Sequence, residues 1–250
     1  MKAVLAIGGG QWRVDLAQPV DLSMPIAFDG GGPRHFGATP PRSLPFAVGD
    51  FSGEVESGAS CNCRTLTLIP HCHGTHTECV AHLTHEPLDA WRLVPAAPVP
   101  AVVVSVAPVA IGGDLVVTRA ALDAAWPRAT TAIRPIALIL RTASETRVAP
   151  YIAADAAALA VERGIAHVVV DLPSLDRTHD EGRLAAHRVF FGLPPGSRRL
   201  AEATRAFATV TEFASIPGAL PDGPCLLAWQ VPAIAGDAVP SRPLAYRFEP

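Results

Sequence analysis

The chain has 250 residues, 49% hydrophobic and 17% charged, with a net charge of -3 and five cysteines. That balance excludes a disordered chain and gives no electrostatic footprint for nucleic acid or an anionic membrane. An odd cysteine count at this length argues for reduced thiols rather than a disulfide framework.

Met1 to Ile7 is apolar, but Gly8, Gly9 and Gly10 stop it too early for a secretory signal. No apolar run reaches the roughly 18 residues of a membrane-spanning helix. The expectation is a cytoplasmic protein. No shift in composition marks a boundary, so residues 1–250 read as one domain.

Residues 28–49, crowded with Gly and Pro, read as a long irregular surface excursion. "RTLTLI" at 64–69 alternates and is β-branched, which predicts a strand running into the next segment. "AVVVSVA" at 101–107 predicts a buried strand. Thr118 caps a short helix over 119–126, stopped by Pro127. A strand at 135–142, a helix at 153–163 closed by Gly164, and a strand at 166–172 make a βαβ unit with parallel strands. Late strands follow at 207–213 and 225–231. The fold class is therefore α/β, with a mixed β-sheet core flanked by few helices.

The segment "IPHCHGTHTECVAHL", residues 69–83, holds His71, His73, His76 and His82 out of nine histidines in the chain, with Cys72, Glu78 and Cys79. Imidazole and carboxylate together suit Zn, Mn and Fe. His76 and Glu78 are two apart and share a face if extended. Gly74 between His71 and His76 is read as a sharp turn that aims both at one centre. Cys72 and Cys79 lack the usual paired zinc-site spacing, and buried reduced thiols are the commoner fate. "AIGGGQ" does not complete a dinucleotide loop, and no G-x-S-x-G is present.

"HGTHTECVAH", residues 73–82, resembles the hallmark H-x-G-T-H-x-D-x-P-x-H of the cyclase-like metal hydrolases, which include bacterial kynurenine formamidases. Gly74, Thr75, His76 and His82 keep the register; Glu78 stands for Asp and Val80 for Pro. Cys72 occupies the place of the first histidine, so His71, Cys72 and His73 all stand open as the first ligand, with His71 preferred. "DLSMPI" (21–26), "VVVDLPSLD" (168–176), "AAHRVFF" (185–191) and "FATVTEF" (207–213) are similar to further family segments in the family's order.

The resemblance implies a swivelling β/β/α fold and one or two divalent ions per chain, Zn or Mn. It assigns His71, His76 and Glu78 to the first ion, and His187 and Glu212 to a second, with Glu78 bridging. It makes His82 the general acid/base, since an imidazole titrates near neutral pH. Its implied activity is hydrolysis of N-formylkynurenine to kynurenine and formate. The alternatives are hydrolysis of a cyclic amide or lactone-like ring, or a homologue that binds ligand without turnover. It also implies a small-molecule substrate and a homodimer. Trp91, Phe46 and Phe51 are the candidates to hold an aryl ring. Read without the resemblance, Asp171 and Asp176 are turn caps around Pro173 and Ser174.

Overall fold

Residues 1–127, 132–142 and 149–249 are described by the structure, a computed structural model. Four apolar strands run parallel at its centre in the order Val99–Ser105, Ala137–Arg141, His167–Val170 and Thr209–Glu212. They are buried on both faces, which is why they read as nearly continuous Val, Ile, Leu and Ala. The helix Ala154–Glu162 makes the expected crossover, and Gly164 takes the left-handed φ of +80° just beyond it. Thr118 caps Arg119–Ala125 by accepting the amide of Ala121.

Strand alternation divides the core in two. Val102, Val104, Leu138, Leu140, Val168 and Val170 pack on one side with Leu122, Ala156 and Phe190 of the helices. Ala101, Val103, Ile139 and Val169 pack on the other with Leu22, Leu227, Trp229 and Ala245.

Antiparallel strands extend the sheet at both ends. Gly223–Gln230 pairs with Val99–Ser105, and Arg242–Glu249 pairs with Gly223–Gln230. At the other end His76–Glu78 pairs with Thr209–Glu212, and Ala238–Pro240 pairs with His76–Glu78. Eleven strands form this mixed sheet among the described residues. No helix among them is long and apolar enough to cross a membrane.

Three expectations change. The strand at 64–69 ends at Thr67 and is exposed throughout, because it pairs with Arg42–Pro45 in a separate ribbon. That ribbon also puts regular structure inside the 28–49 excursion. The N-terminal Gly run is the turn of a hairpin, Lys2–Ile7 with Gly10–Asp15; Gly8 and Gly9 have φ of +59° and +85°.

Candidate metal centre

The site is built where the parallel strands meet the antiparallel edge. His76 lies opposite Glu212, and Glu78 opposite Val210, in the antiparallel register. Directly opposed residues share a face, so His76, Glu78 and Glu212 project together. Thr77 points the other way, its hydroxyl 2.7 Å from that of Thr211, which also accepts the indole N–H of Trp229.

His71 arrives from the one-turn helix Pro70–His73, with Pro70 in the first position where a missing N–H costs nothing. This turn, rather than Gly74, reverses the chain: Gly74 is extended at φ 160°. A Cβ on Gly74 would lie 2.9 Å from both Met24 O and Ile26 Cγ1. The glycine thus permits close approach of the 21–26 segment, which Thr75 fixes by accepting the amide of Met24 at 2.6 Å.

His71 is the one of the three first-ligand alternatives placed against Glu78, Nδ1 to Oε2 3.0 Å. His73 is committed elsewhere: Nδ1 accepts from Ile69 N–H and Nε2–H donates to Thr39 O. Burial pushes the Cys72 thiol up, and pushes Cys79 up to about 12. Both therefore stay protonated, and no cysteine joins a metal-capable group among the described residues.

His187 comes from the helix Ala185–Phe191. Asp176 accepts the amides of Ala186 and His187, capping that helix. The same carboxylate accepts His187 Nδ1–H at 2.6 Å. Asp176 therefore caps this helix rather than the expected turn around Pro173 and Ser174, and it also fixes the imidazole tautomer. Asp171 accepts from the amide and hydroxyl of Thr142 and ties two strand ends.

Proton accounting shows whether a cation fits. A carbonyl only accepts, so the 3.1 Å contact of His76 Nδ1 with Gly74 O puts the proton on Nδ1. The Nε2 lone pair then faces Glu212 Oε2 at 3.4 Å. By the same logic His187 Nε2 presents its lone pair to Glu78 Oε1 at 2.7 Å and Glu212 Oε1 at 3.3 Å. His76 Nε2, His187 Nε2 and Glu78 Oε1 are all buried without a geometrically valid hydrogen bond. Buried acceptors facing acceptors need positive charge between them. The donor atoms of His71, His76 and Glu78 lie within 4.8 Å of one another, as do those of Glu78, His187 and Glu212. Glu78 belongs to both groups, so the residues fit one or two divalent ions with Glu78 shared.

Without an ion, protons supply that charge. Burial would lower the His187 pKa, but Glu78 and Asp176 raise it well above the ordinary value. Burial opposes His71 too, yet Asp237 and Glu78 push it up to about 10. Burial and the neighbouring Glu78 would raise the Glu212 carboxyl; the His187 and His76 imidazoles against it hold it low.

Asp237 was not anticipated. Its Oδ2 lies 3.0 Å from His71 Nε2 and 3.3 Å from His82 Nδ1, and those bonds hold its carboxyl well below the usual range. His71, His82 and Asp237 form a third metal-capable group, at the more open edge of the site. The only signal was a carboxylate after Gly236, before a short strand. His35 was also missed. Its buried Nε2 has no partner among the described residues, and its ring meets Phe213 at 6.0 Å, which in turn lies 6.2 Å from His76. Phe213 is thus an aromatic ring beside the site; of the rings singled out in the sequence, Trp91 stacks under Arg92, Phe46 is exposed and Phe51 is half-buried.

The Cyclase family model, described as "Putative cyclase", matches residues 14–177, more than half of the chain. The chain belongs to the Cyclase family. The chain resembles a predicted metal-dependent hydrolase from Bacillus stearothermophilus at 16% identity and TM-score 0.61, covering 92% of this chain and 98% of that one. It resembles isatin hydrolase A from Labrenzia aggregata, bound to benzyl benzoate, at 18% identity and TM-score 0.63, covering 93% and 94%. A potential metal-dependent hydrolase with cyclase activity gives 16% identity and TM-score 0.64, covering 93% and 99%. At these identities the likeness is one of fold. None of the curated proteins compared with this chain is similar enough in sequence to count as a match.

Proposed function

We propose that this protein is a metal-dependent hydrolase of an aryl amide, with N-formylkynurenine as the leading substrate. The observation that carries the reading is the buried meeting of imidazole lone pairs and carboxylates at Glu78, with His82 at the open edge. His71, His76, Glu78, His187 and Glu212 would hold Zn or Mn. A bound ion of this kind is a Lewis acid that makes hydroxide available from water near neutral pH and polarises the scissile carbonyl.

The chain's own residues do the rest. Asp176 keeps the proton of His187 on Nδ1, leaving Nε2 free to ligate. Asp237 orients His82 through Nδ1, so that Nε2 is the atom that takes a proton from water and returns it to the leaving amine. Phe213 and His35 offer flat surfaces against which an aryl ring can lie.

A cyclic amide is the second reading, favoured by the similarity in fold to isatin hydrolases. Metal analysis of the purified protein, followed by a screen of N-formylkynurenine against isatin with Zn and with Mn, tests both. Turnover of one substrate and about one or two ions per chain are expected. If neither ion supports hydrolysis of any formamide, lactam or lactone, the hydrolase reading fails and a ligand-binding protein is left.

A further inference from the structure

We propose that the pocket beside His82 binds a carboxylate of the substrate, gripped by Arg198 and Arg188, so that the enzyme selects acids over neutral aryl amides. The proposal rests on the hydrolase reading and narrows its substrate class.

A pocket of about 260 Å³ opens next to His82 and is lined also by His85, Leu184, Arg188 and Arg198. Its lining contains two guanidinium groups, two imidazoles and no carboxylate. The acids nearest in sequence are otherwise engaged. Asp180 accepts the amides of Gly182 and Leu184. Glu86 accepts the amide of Leu200, and Glu202 takes Ser197 and Arg199. Arg188 follows the candidate ligand His187 on one helix. Its Nε donates to Arg183 O at 3.0 Å, and its Nη1 donates to Pro194 O at 3.1 Å and Ser197 O at 2.8 Å. Carbonyls position the guanidinium but do not cancel its charge. Nη2 keeps no partner among the described residues, and neither does the side chain of Arg198.

Arg198 comes from the stretch 192–206 that separates His187 from Glu212. The same stretch walls a larger cleft of about 780 Å³, floored by Val189, Leu193, Pro194 and Pro195, that shares Arg188 and Arg198 with the small pocket. Arg188, held by carbonyls, and the exposed Arg198, both beside the candidate proton-transfer residue, suit a carboxylate, which accepts two donors at once. N-formylkynurenine carries such a carboxylate; isatin does not.

The test compares N-formylkynurenine with its methyl ester, which removes only the carboxylate charge. Metal-loaded wild-type protein is expected to favour the acid by about ten-fold or more in kcat/KM. Arg198→Ala should collapse that ratio, chiefly through KM of the acid, and Arg198→Lys should restore part of it. Arg199→Ala, outside the pocket, should leave the ratio alone. Calorimetric titration of benzoate into the metal-loaded protein gives a readout independent of turnover; Arg198→Ala should weaken binding by about ten-fold. Turnover without discrimination between acid and ester overturns the subsite and spares the hydrolase. Benzoate binding that depends on Arg198, without turnover of either compound, sinks the hydrolase and spares the subsite. Benzoate binding that is absent, or unchanged in Arg198→Ala, overturns the subsite.

Discussion

Asp176 shows how much one carboxylate settles: it caps a helix through two amides and fixes the proton of His187 at 2.6 Å. Asp176→Asn should keep the cap's shape but weaken the hold on His187, lowering metal affinity by about 10- to 100-fold, measured by competition with a chromophoric chelator. Unchanged affinity would mean that His187 does not ligate. His82 poses a different question, because it can shuttle protons or join His71 and Asp237 around an ion. His82→Ala should cut kcat by about 10²- to 10⁴-fold with metal content unchanged. A parallel loss of bound ion would make it a ligand instead. His76 and Glu78 were legible because a two-residue spacing on a strand dictates a shared face. Asp237 and His35 were not, because each stands alone in a loop and meets the site only through long-range folding.

The three-residue strand His76–Glu78 works because its neighbours leave it no other register. Thr77 hydrogen-bonds Thr211 behind the site, while Gly74 and Thr75 lock the 21–26 segment in front. Gly74→Ala would place a Cβ 2.9 Å from the carbonyl oxygen of Met24. It should destabilise the fold by about 2 kcal/mol, a fall in Tm of about 4–8 °C. An unchanged Tm would show that the segment moves aside freely. Elements buried on both faces, such as Ala137–Arg141, were readable from their apolar runs. The exposed ribbon of Arg42–Pro45 and Arg64–Thr67 was not, because strands without a buried face carry no core periodicity. The N-terminal hairpin was hidden for a related reason: its Gly run looked like an interruption when it was a turn.

Across the whole molecule, the parallel strands separate two cores, and the site lies on the helix-bearing face of the sheet, where Glu78 stands opposite Val210. The α/β class followed from the βαβ unit, but the antiparallel strand Arg242–Glu249, which joins Gly223–Gln230 to the N-terminal hairpin, has a mixed polar sequence that gave no warning. One consequence of the second core is a pH dependence unrelated to the metal. His167 is buried beside Trp229, with Nδ1 2.8 Å from the Thr209 hydroxyl. Burial, aided by Arg205, lowers its pKa to about 4 from the ordinary value of 6.5. A depressed folded value means the unfolded chain binds the proton first as pH falls. The stabilising effect of neutral His167 is therefore complete above pH 6.5 and is lost progressively between 6.5 and about 4. The loss amounts to about 3 kcal/mol. His71 has the opposite sign in the metal-free protein: raised to about 10, it contributes stability below 6.5 that disappears as pH rises through 10. Urea unfolding of metal-free wild type and His167→Gln at pH 7, 5.5 and 4 separates the two, since His71 is common to both. The wild type should lose its advantage over the variant as pH falls through that window. A stability difference that stays flat would mean that folding does not shift the titration of His167.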